Sequence, residues 1–102
     1  MREIKVIIKR PDEEYGHVEY ITNELKELQK IVGGYIETVS LLSNLVLIVN
    51  EEGKLMGLPY NFGTHDDIIV GTVIVAGVKE DEFADVPIDL SQWKRMLLAW
   101  GN

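Results

Sequence analysis

The first part of the chain shows the alternation of apolar and polar side chains that is typical of two short strands. The stretch from Ile4 to Lys9 is rich in β-branched residues, which fit the pleated surface of a sheet. Residues 17–21 alternate polar with apolar side chains, as a strand with one buried face does. The acidic segment Pro11–Gly16 between them carries turn-forming residues, so we expect a β-hairpin.

A helical period follows this hairpin. Four apolar residues recur at intervals that place them on one stripe of a helix, namely Leu25, Leu28, Ile31 and Val32. We expect Thr22 or Asn23 to cap the first turn, because either side chain accepts a bond from a free backbone N–H. Gly33-Gly34 is expected to end the helix, since glycine takes the left-handed conformation without a steric cost.

Apolar runs predict three further strands. Tyr35–Leu42 is the first of them. The run Leu45–Asn50 is so continuously apolar that we expect a central strand covered on both faces. Asp67–Val78 carries the strongest strand signal, and its Gly71 and Gly77 indicate a bulge or a close approach of another backbone segment.

The connections in this region contain glycine and proline. We expect a hairpin turn over Glu51–Lys54, with Gly53 at the position that needs positive φ. Leu55-Met56 is a candidate start of a short returning strand. The segment Gly57–His65 is predicted to be an irregular loop, because Pro59 cannot sit in the middle of a sheet.

The end of the chain predicts a second helix. Asp89 and Gln92, three residues apart, resemble a capping box with Asp in place of Ser or Thr. The apolar residues that follow share one helical face, namely Leu90, Trp93, Met96, Leu97 and Trp100. Before this helix, Lys79–Asp85 is expected to be an acidic surface loop.

The order of these elements predicts a single α+β domain over residues 1–102. Strands joined by tight turns indicate a largely antiparallel sheet, here of about five to six strands, with two helices packed on one face. Apolar residues make up 46% of the chain and charged residues 26%, which are ordinary values for a globular domain with one core. No repeat, linker or low-complexity segment divides the chain.

The net charge of the chain argues against two classes of binding partner. It has 17 acidic against 10 basic residues and a net charge of −7, which argues against direct binding to nucleic acid or to an anionic membrane. It has no cysteine, which excludes disulfides, thiolate catalysis and zinc sites that need cysteine. No apolar run approaches the ~20 residues of a membrane span, and we expect a cytoplasmic protein.

Residues with catalytic or metal-binding chemistry are few. His65-Asp66-Asp67 offers metal-ligand types, but its spacing matches no ligand motif, and a self-solvating polar loop is the simpler explanation. Paired carboxylates elsewhere lie in predicted turns. We therefore expect a protein without catalytic residues, metal or cofactor. A small carboxylate- or metal-dependent enzyme near His65 is kept as an alternative.

The stretch Asn50–Asn61 is the most informative one for binding. It combines two asparagines, a lysine, an aromatic residue and a proline in a connection between strands, where binding groups tend to lie. An asparagine amide both donates and accepts hydrogen bonds, and a tyrosine offers a stacking face with a hydroxyl. We expect a ligand-binding site lined by Asn50, Lys54, Tyr60, Asn61 and Tyr35.

The two tryptophans of the second helix allow two interpretations. Trp93 and Trp100 are seven residues apart and lie on one helical face. Core packing is the expected role. The alternative is a contact within a homo-oligomer, because aromatic residues are enriched at interface centres.

Three motifs carry a resemblance to a known family. They are VGGYIE (Val32–Glu37), NEEGKLMGLPYN (Asn50–Asn61) and DIIVGT (Asp67–Thr72). Together they resemble domain-of-unknown-function family 3846, small proteins of phages, plasmids and other mobile elements. The resemblance implies a mobile-element origin and supplies no catalytic residues. The positions that match the family pattern are Gly33, Gly34, Tyr35, Asn50, Gly53, Leu58, Pro59, Asn61 and Gly71.

These observations lead to one functional expectation and its alternatives. We expect a non-enzymatic accessory protein of a phage or mobile element that binds or sequesters a host protein or a small signalling nucleotide, in a counter-defence role. A pocket shared between subunits would suit such a ligand. The net charge of −7 keeps open an acidic DNA mimic or antirestriction-like inhibitor, which would gather its carboxylates on one face.

Overall fold

The central layer of the fold is a six-stranded sheet in which all neighbouring strands are antiparallel. The computed structural model describes residues 2–102. The elements follow in the order β1 (Glu3–Lys9), β2 (His17–Thr22), α1 (Leu25–Val32), β3 (Ile36–Leu42), β4 (Leu45–Asn50), β5 (Tyr60–Gly63), β6 (Ile68–Val70), β7 (Val73–Lys79), β8 (Glu82–Ala84) and α2 (Leu90–Ala99). In space the strands run β2-β1-β7-β4-β3, and β8 pairs with the end of β7. The predicted α+β class and antiparallel sheet are confirmed.

The two helices lie on opposite faces of this sheet. In β4, Leu45 and Leu47 pack in the same core cluster as Trp93 of α2. The alternate residues Val46 and Ile48 pack in the other cluster, with α1. The prediction that both helices cover one face is therefore wrong. Because the central strands are apolar at successive positions, each face needs its own cover.

A two-stranded ribbon of β5 and β6 shares the α2 face of the sheet. Its Phe62 and Ile69 are buried in the same cluster as α2. The prediction of an irregular loop over Gly57–His65 therefore missed β5, and the strand predicted over residues 67–78 is two strands in two sheets. The break falls at Gly71, whose φ of 74° is accessible to glycine and turns the chain between the sheets.

The connection after β4 is a compact turn and not the predicted hairpin. Its backbone bonds run from the Met56 N–H to the Glu52 carbonyl at 2.9 Å and from the Leu58 N–H to the Gly53 carbonyl at 3.0 Å. The residue with positive φ is Gly57, at 69°, and not Gly53 as predicted. No returning strand begins at residues 55–56, and the next strand is β5.

Both tryptophans belong to the core. Trp93 is fully buried, and its indole N–H donates to the Tyr15 carbonyl at 3.0 Å. Trp100 is half-buried and stacks on Phe62, with ring centroids 6.0 Å apart. Trp93 meets both of these rings edge-on, at 5.5 Å and 5.8 Å. The homo-oligomer prediction thereby loses the feature on which it was based, and it stays untested.

The capping residue at the start of α1 differs from the predicted one, whereas the cap at the start of α2 agrees with the prediction. α1 is capped by Glu24, which makes no side-chain cap bond, so the prediction of Thr22 or Asn23 is wrong. The helix ends as predicted at Gly33, with φ of 82°. The capping box of α2 is confirmed, since the Asp89 carboxylate accepts from the Gln92 N–H at 2.7 Å.

Both helices are short and present one apolar face to the sheet. They have 8 and 10 residues, and each buries two large side chains. Neither of these helices, within residues 2–102, has the length and apolar character needed to cross a membrane.

The contrast between the two helix caps gives a test of the fold. Asp89→Ala removes the side-chain bond of α2 and should lower the free energy of unfolding by about 1 kcal/mol. Glu24→Ala, the matched control, removes a cap residue that makes no such bond and should change stability by less than about 0.5 kcal/mol. Urea unfolding followed by circular dichroism measures both. Equal effects of the two substitutions would contradict this account of α2.

Candidate functional site

The turn after β4 forms one wall of a groove, which we call the acidic groove. It has a volume of about 170 Å³ and lies between this turn, the β3–β4 pair and β6. Val39, Val49 and Ile69 supply apolar lining. The charged lining consists of Glu37, Glu51, Lys54 and Asp67. The groove therefore combines an apolar floor with more carboxylates than cations.

Among residues 2–102, the one lysine that lines the groove is already engaged. Lys54 Nζ lies 2.6 Å from Asp67 Oδ1 in an exposed ion pair. This ammonium and the Ile68 N–H, at 2.7 Å, hold the pKa of Asp67 below its usual range. Glu37 and Glu51 form no ion pair with any residue in the described part of the chain. The groove consequently keeps a net negative charge.

Exposed apolar side chains surround the same turn. Leu55 and Ile68 line the acidic groove, while Tyr35 and Met56 line a second groove of about 280 Å³ at the end of α1, and Asn50 contributes to both. Their exposed fractions are 88% for Leu55, 67% for Tyr35, 56% for Met56 and 53% for Ile68. We call these four residues the turn patch. Grouped exposed apolar residues are typical of interaction surfaces.

The structure brings together three of the five predicted site residues. Lys54 and Asn50 line the acidic groove, and Tyr35 lines the second groove with Asn50. Tyr60 lies exposed on β5, where its hydroxyl donates to the side chain of Asn102 at 3.2 Å. Asn61, its neighbour, is buried. The predicted five-residue site is therefore not one pocket, and ligand contact by its members stays a prediction.

Asn50 has a structural role that sequence reasoning did not assign. Its amide nitrogen donates to the Val32 carbonyl at 3.2 Å, and its Oδ1 accepts from the Glu52 N–H at 2.8 Å. The side chain thus joins the last turn of α1 to the turn after β4. Because it is buried and these amide atoms are bonded within the protein, its main effect is to position the turn patch.

Asn61 is the partner of a buried lysine. Its Oδ1 accepts from Lys9 Nζ at 2.6 Å, and its Nδ2 donates to the carbonyls of Lys9 and Gly71 at 2.8 and 2.7 Å. Only 4% of Lys9 is exposed, and its Nζ lies 5.7 Å from the centroid of the Phe62 ring. Burial lowers the pKa of Lys9, although the carboxylates of Glu13 and Asp12 oppose this shift. This cluster fastens β5 to β1.

Sequence reasoning missed Lys9, although a signal was present. Lys9 lies two residues after Ile7 in β1, and alternate residues of a strand point to the same face. Since Ile7 is fully buried on the α2 face, this alternation directed Lys9 toward that face, as it did Lys5 on the other side of Ile7. The identity of its partner, 52 residues away, had no local signal.

The His65 segment forms an exposed turn of the ribbon. Thr64 Oγ1 accepts from the backbone N–H groups of Asp66 and Asp67 at 3.2 and 3.1 Å. Asp67 is paired with Lys54. Residues 2–102 contain no group of three histidine or acidic side chains arranged to hold a metal ion. The hydrogen bonds of this turn involve Thr64 and Asp67, and a ligand-binding role of His65 stays untested.

His17 is the second group that sequence reasoning missed. Its Nδ1 lies 2.6 Å from a Glu13 carboxylate oxygen, and its Nε2 lies 2.7 Å from Glu19. Burial alone would lower the pKa of His17, but the two carboxylates favour the charged ring, and together they raise the pKa above its usual value. Glu13 also accepts from the Arg10 N–H at 2.9 Å. The imidazole therefore ties the β1–β2 loop to β2.

Carboxylates occur on several sides of the molecule. Glu19 and Glu37 lie on β2 and β3, the opposite edges of the sheet. Glu27 lies on α1, on one face, whereas Asp89 caps α2 on the other. A polyanion mimic needs its charges along one face, and this distribution does not favour that arrangement.

The Lys9–Asn61 cluster makes a stability prediction. Asn61→Ala leaves a buried ammonium without its acceptor and takes one donor from each of two carbonyls, so we expect the free energy of unfolding to fall by about 3 kcal/mol. The double variant Lys9→Met, Asn61→Leu should recover part of this loss, because it removes the buried ammonium together with its acceptor, although the two carbonyls still lack the Asn61 donor. Urea unfolding measures these changes, with Asn44→Ala as an exposed control. A loss no larger than that of the control would refute the structural role.

The His17 pairing makes a prediction about pH. A raised folded-state pKa contributes stability that is fully present below the unfolded-state pKa and is lost as pH rises through the folded value. The stability advantage of wild type over His17→Gln should therefore be larger at about pH 5.5 than at about pH 8.5. Chemical unfolding at both pH values tests this, with His65→Gln as the matched histidine control. Glu13→Gln should shrink the difference, and an advantage that does not change with pH would contradict the pairing.

One protein-family model matches almost the whole described fold. The family model described as "Domain of unknown function (DUF3846)" matches residues 4–98. This segment extends from β1 into α2 and includes both grooves of the turn after β4. No curated protein and no solved structure matches the chain significantly. The chain therefore belongs to the DUF3846 family, in agreement with the resemblance carried by its three motifs.

Proposed function

We propose that this protein is a non-enzymatic binding protein that holds another protein on its turn patch and acidic groove. The observation that supports this most strongly is the exposure of four large apolar side chains around one turn, with Leu55 88% exposed. Hydrogen bonds within the turn, to Tyr35 and through Asn50 fix the backbone that carries Tyr35, Leu55 and Met56. An exposed apolar surface bordered by charges is suited to protein–protein contact.

The charge of the groove favours a protein partner over a signalling nucleotide. Phosphate groups are bound by free cations or by backbone N–H groups at helix starts. In the acidic groove Lys54 is paired with Asp67, and Glu37 and Glu51 add negative charge. A nucleotide phosphate would be repelled there, whereas a basic protein surface would be attracted.

We further propose that the partner is a host factor and that the protein acts in the host cytoplasm as a phage or mobile-element accessory protein. The motif resemblance to mobile-element proteins is the reason for this part of the proposal. A protein that binds a host factor without catalysing a reaction would inhibit that factor by sequestration, which is the counter-defence role proposed for this protein. The antirestriction-like and enzymatic alternatives have no structural support comparable to the turn patch.

Paired substitutions test the proposed surface. Leu55→Asp and Met56→Asp place charges in the turn patch, and each should weaken partner binding by about tenfold or more. Leu98→Asp is the matched control, because Leu98 is also an exposed leucine, 49% accessible, but lies on α2. Both types of change are at the surface, so a thermal unfolding scan should show all variants folded.

The measurement is affinity capture from a bacterial host lysate, quantified by mass spectrometry, followed by titration of the captured protein. The proposal expects a protein that wild type and Leu98→Asp retain and that both turn-patch variants lose. Native mass spectrometry of the purified protein runs in parallel. Retention of a nucleotide-sized mass, or capture that is the same for all variants, would contradict a protein partner on this surface.

A further inference from the structure

The acidic groove lies beside an unpaired edge of the sheet. β3 is the last strand of the order β2-β1-β7-β4-β3, and in the described part of the chain it pairs with β4 alone. An edge strand offers a row of free backbone N–H and C=O groups to any segment that can pair with it. The register of β3 against β4 determines which of its backbone groups are free.

The backbone groups of alternate β3 residues point away from β4. The Glu51 N–H donates to the Tyr35 carbonyl at 2.8 Å, and the β3–β4 register continues through these two residues. In an antiparallel pair, directly bonded residues alternate with residues whose backbone groups face outward. The groups of Glu37 and Val39 therefore bond to β4. Those of the intervening residues face the free edge, namely Ile36, Thr38 and Ser40.

The side chains of β3 connect this edge with the groove. Glu37 and Val39 line the acidic groove, on the α2 side of the sheet. β3 contains no lysine, arginine or proline, which commonly guard exposed edges. Its one irregularity is a bulge between Ser40 and Leu42, at the far end of the strand. The segment from Ile36 to Ser40 is consequently open for pairing.

The lining of the groove specifies what such a segment would carry. A strand added to β3 would point every second side chain to the α2 side, where Glu37 and the groove lie. Near this position Glu51 and Asp67 contribute further negative charge, and Ile68 and Leu55 contribute apolar surface. Lysine or arginine alternating with other residues would complement the carboxylates, with an aliphatic residue placed against the apolar lining.

We propose, on the basis of the function proposed above, that the partner supplies an extended segment that pairs with β3 as a further strand and places basic side chains over the acidic groove. Main-chain bonds to Thr38 and its outward-facing neighbours give the segment its affinity, and the groove gives it specificity. A second copy of this chain is a poorer occupant, because it would bring another acidic groove to the same edge.

Proline substitutions in the two edge strands, β3 and β2, distinguish strand addition to β3 from binding elsewhere on the surface. Thr38→Pro removes an outward N–H and blocks strand addition while leaving the β3–β4 bonds in place. The matched control is Tyr20→Pro on β2, the opposite edge. The Asn23 N–H bonds the Arg2 carbonyl at 2.9 Å in line with the β1–β2 register, so the backbone groups of Tyr20 also face outward. Glu37→Lys tests the charge without altering the backbone.

The probe is a library of random linear peptides displayed on phage and selected on the wild-type protein. We expect the enriched sequences to carry lysine or arginine at alternate positions. Selected peptides should bind Thr38→Pro and Glu37→Lys at least about tenfold more weakly than wild type and bind Tyr20→Pro equally well. Thermal scans establish whether the variants are folded. If Thr38→Pro does not fold, Glu37→Lys still tests the inference, because Glu37 is exposed and its substitution leaves the backbone unchanged.

The outcomes distinguish this inference from the proposed function. Peptides that need Leu55 but tolerate Thr38→Pro and Glu37→Lys would overturn strand addition and leave the binding surface standing. Acidic or purely apolar consensus sequences would overturn the basic segment. Self-association that light scattering detects in wild type and that Thr38→Pro abolishes would assign the edge to a second copy. If no variant of either surface changes binding, both the inference and the proposed function fail.

Discussion

Burial of both faces of β1, β4 and β7 is the constraint on which the rest of the structure depends. Every residue of β4 is buried, and the core positions of the other two strands alternate between two apolar clusters. Neither face can be left in water, because apolar surface is driven out of contact with it. α1 covers one face, while α2 and the β5–β6 ribbon share the other. The placement of the helices and the existence of the ribbon both follow from this requirement.

The same burial encloses a charged group. Lys9 follows Ile7 on the α2 side of β1, so the ribbon that covers this side also covers the lysine. Asn61 stands on the ribbon and supplies an acceptor to the ammonium and donors to two backbone carbonyls. An asparagine in an unusual loop suggested a binding residue. In the folded protein it compensates for the burial of Lys9, and Asn50 serves similarly between α1 and the turn after β4.

The two edge strands of the sheet, β2 and β3, differ in the side chains and backbone groups that they expose to other molecules. β2 carries His17 and Glu19, which pair with each other across the strand surface. β3 carries a single charged residue, Glu37, and borders the acidic groove and the turn patch. Strand order thus places an open edge, an apolar surface and unpaired carboxylates on one side of the molecule. This coincidence, rather than any one residue, gives the molecule its strongest candidate for a binding surface.

The sequence by itself determined the features that depend on neighbours a few residues apart. The capping box at Asp89, the end of α1 at Gly33 and the hairpin of β1 and β2 could be predicted, because their signals lie within one turn or one hairpin. Lys54 and Tyr35, chosen as binding residues from local reasoning, each line a groove, and ligand contact by them stays a prediction. The tertiary structure alone decided on which face each helix lies, where Gly71 divides two strands, and which distant groups Asn50 and Asn61 bind. Period-two and helical patterns specify that a face is apolar, but they do not specify which distant segment will cover it.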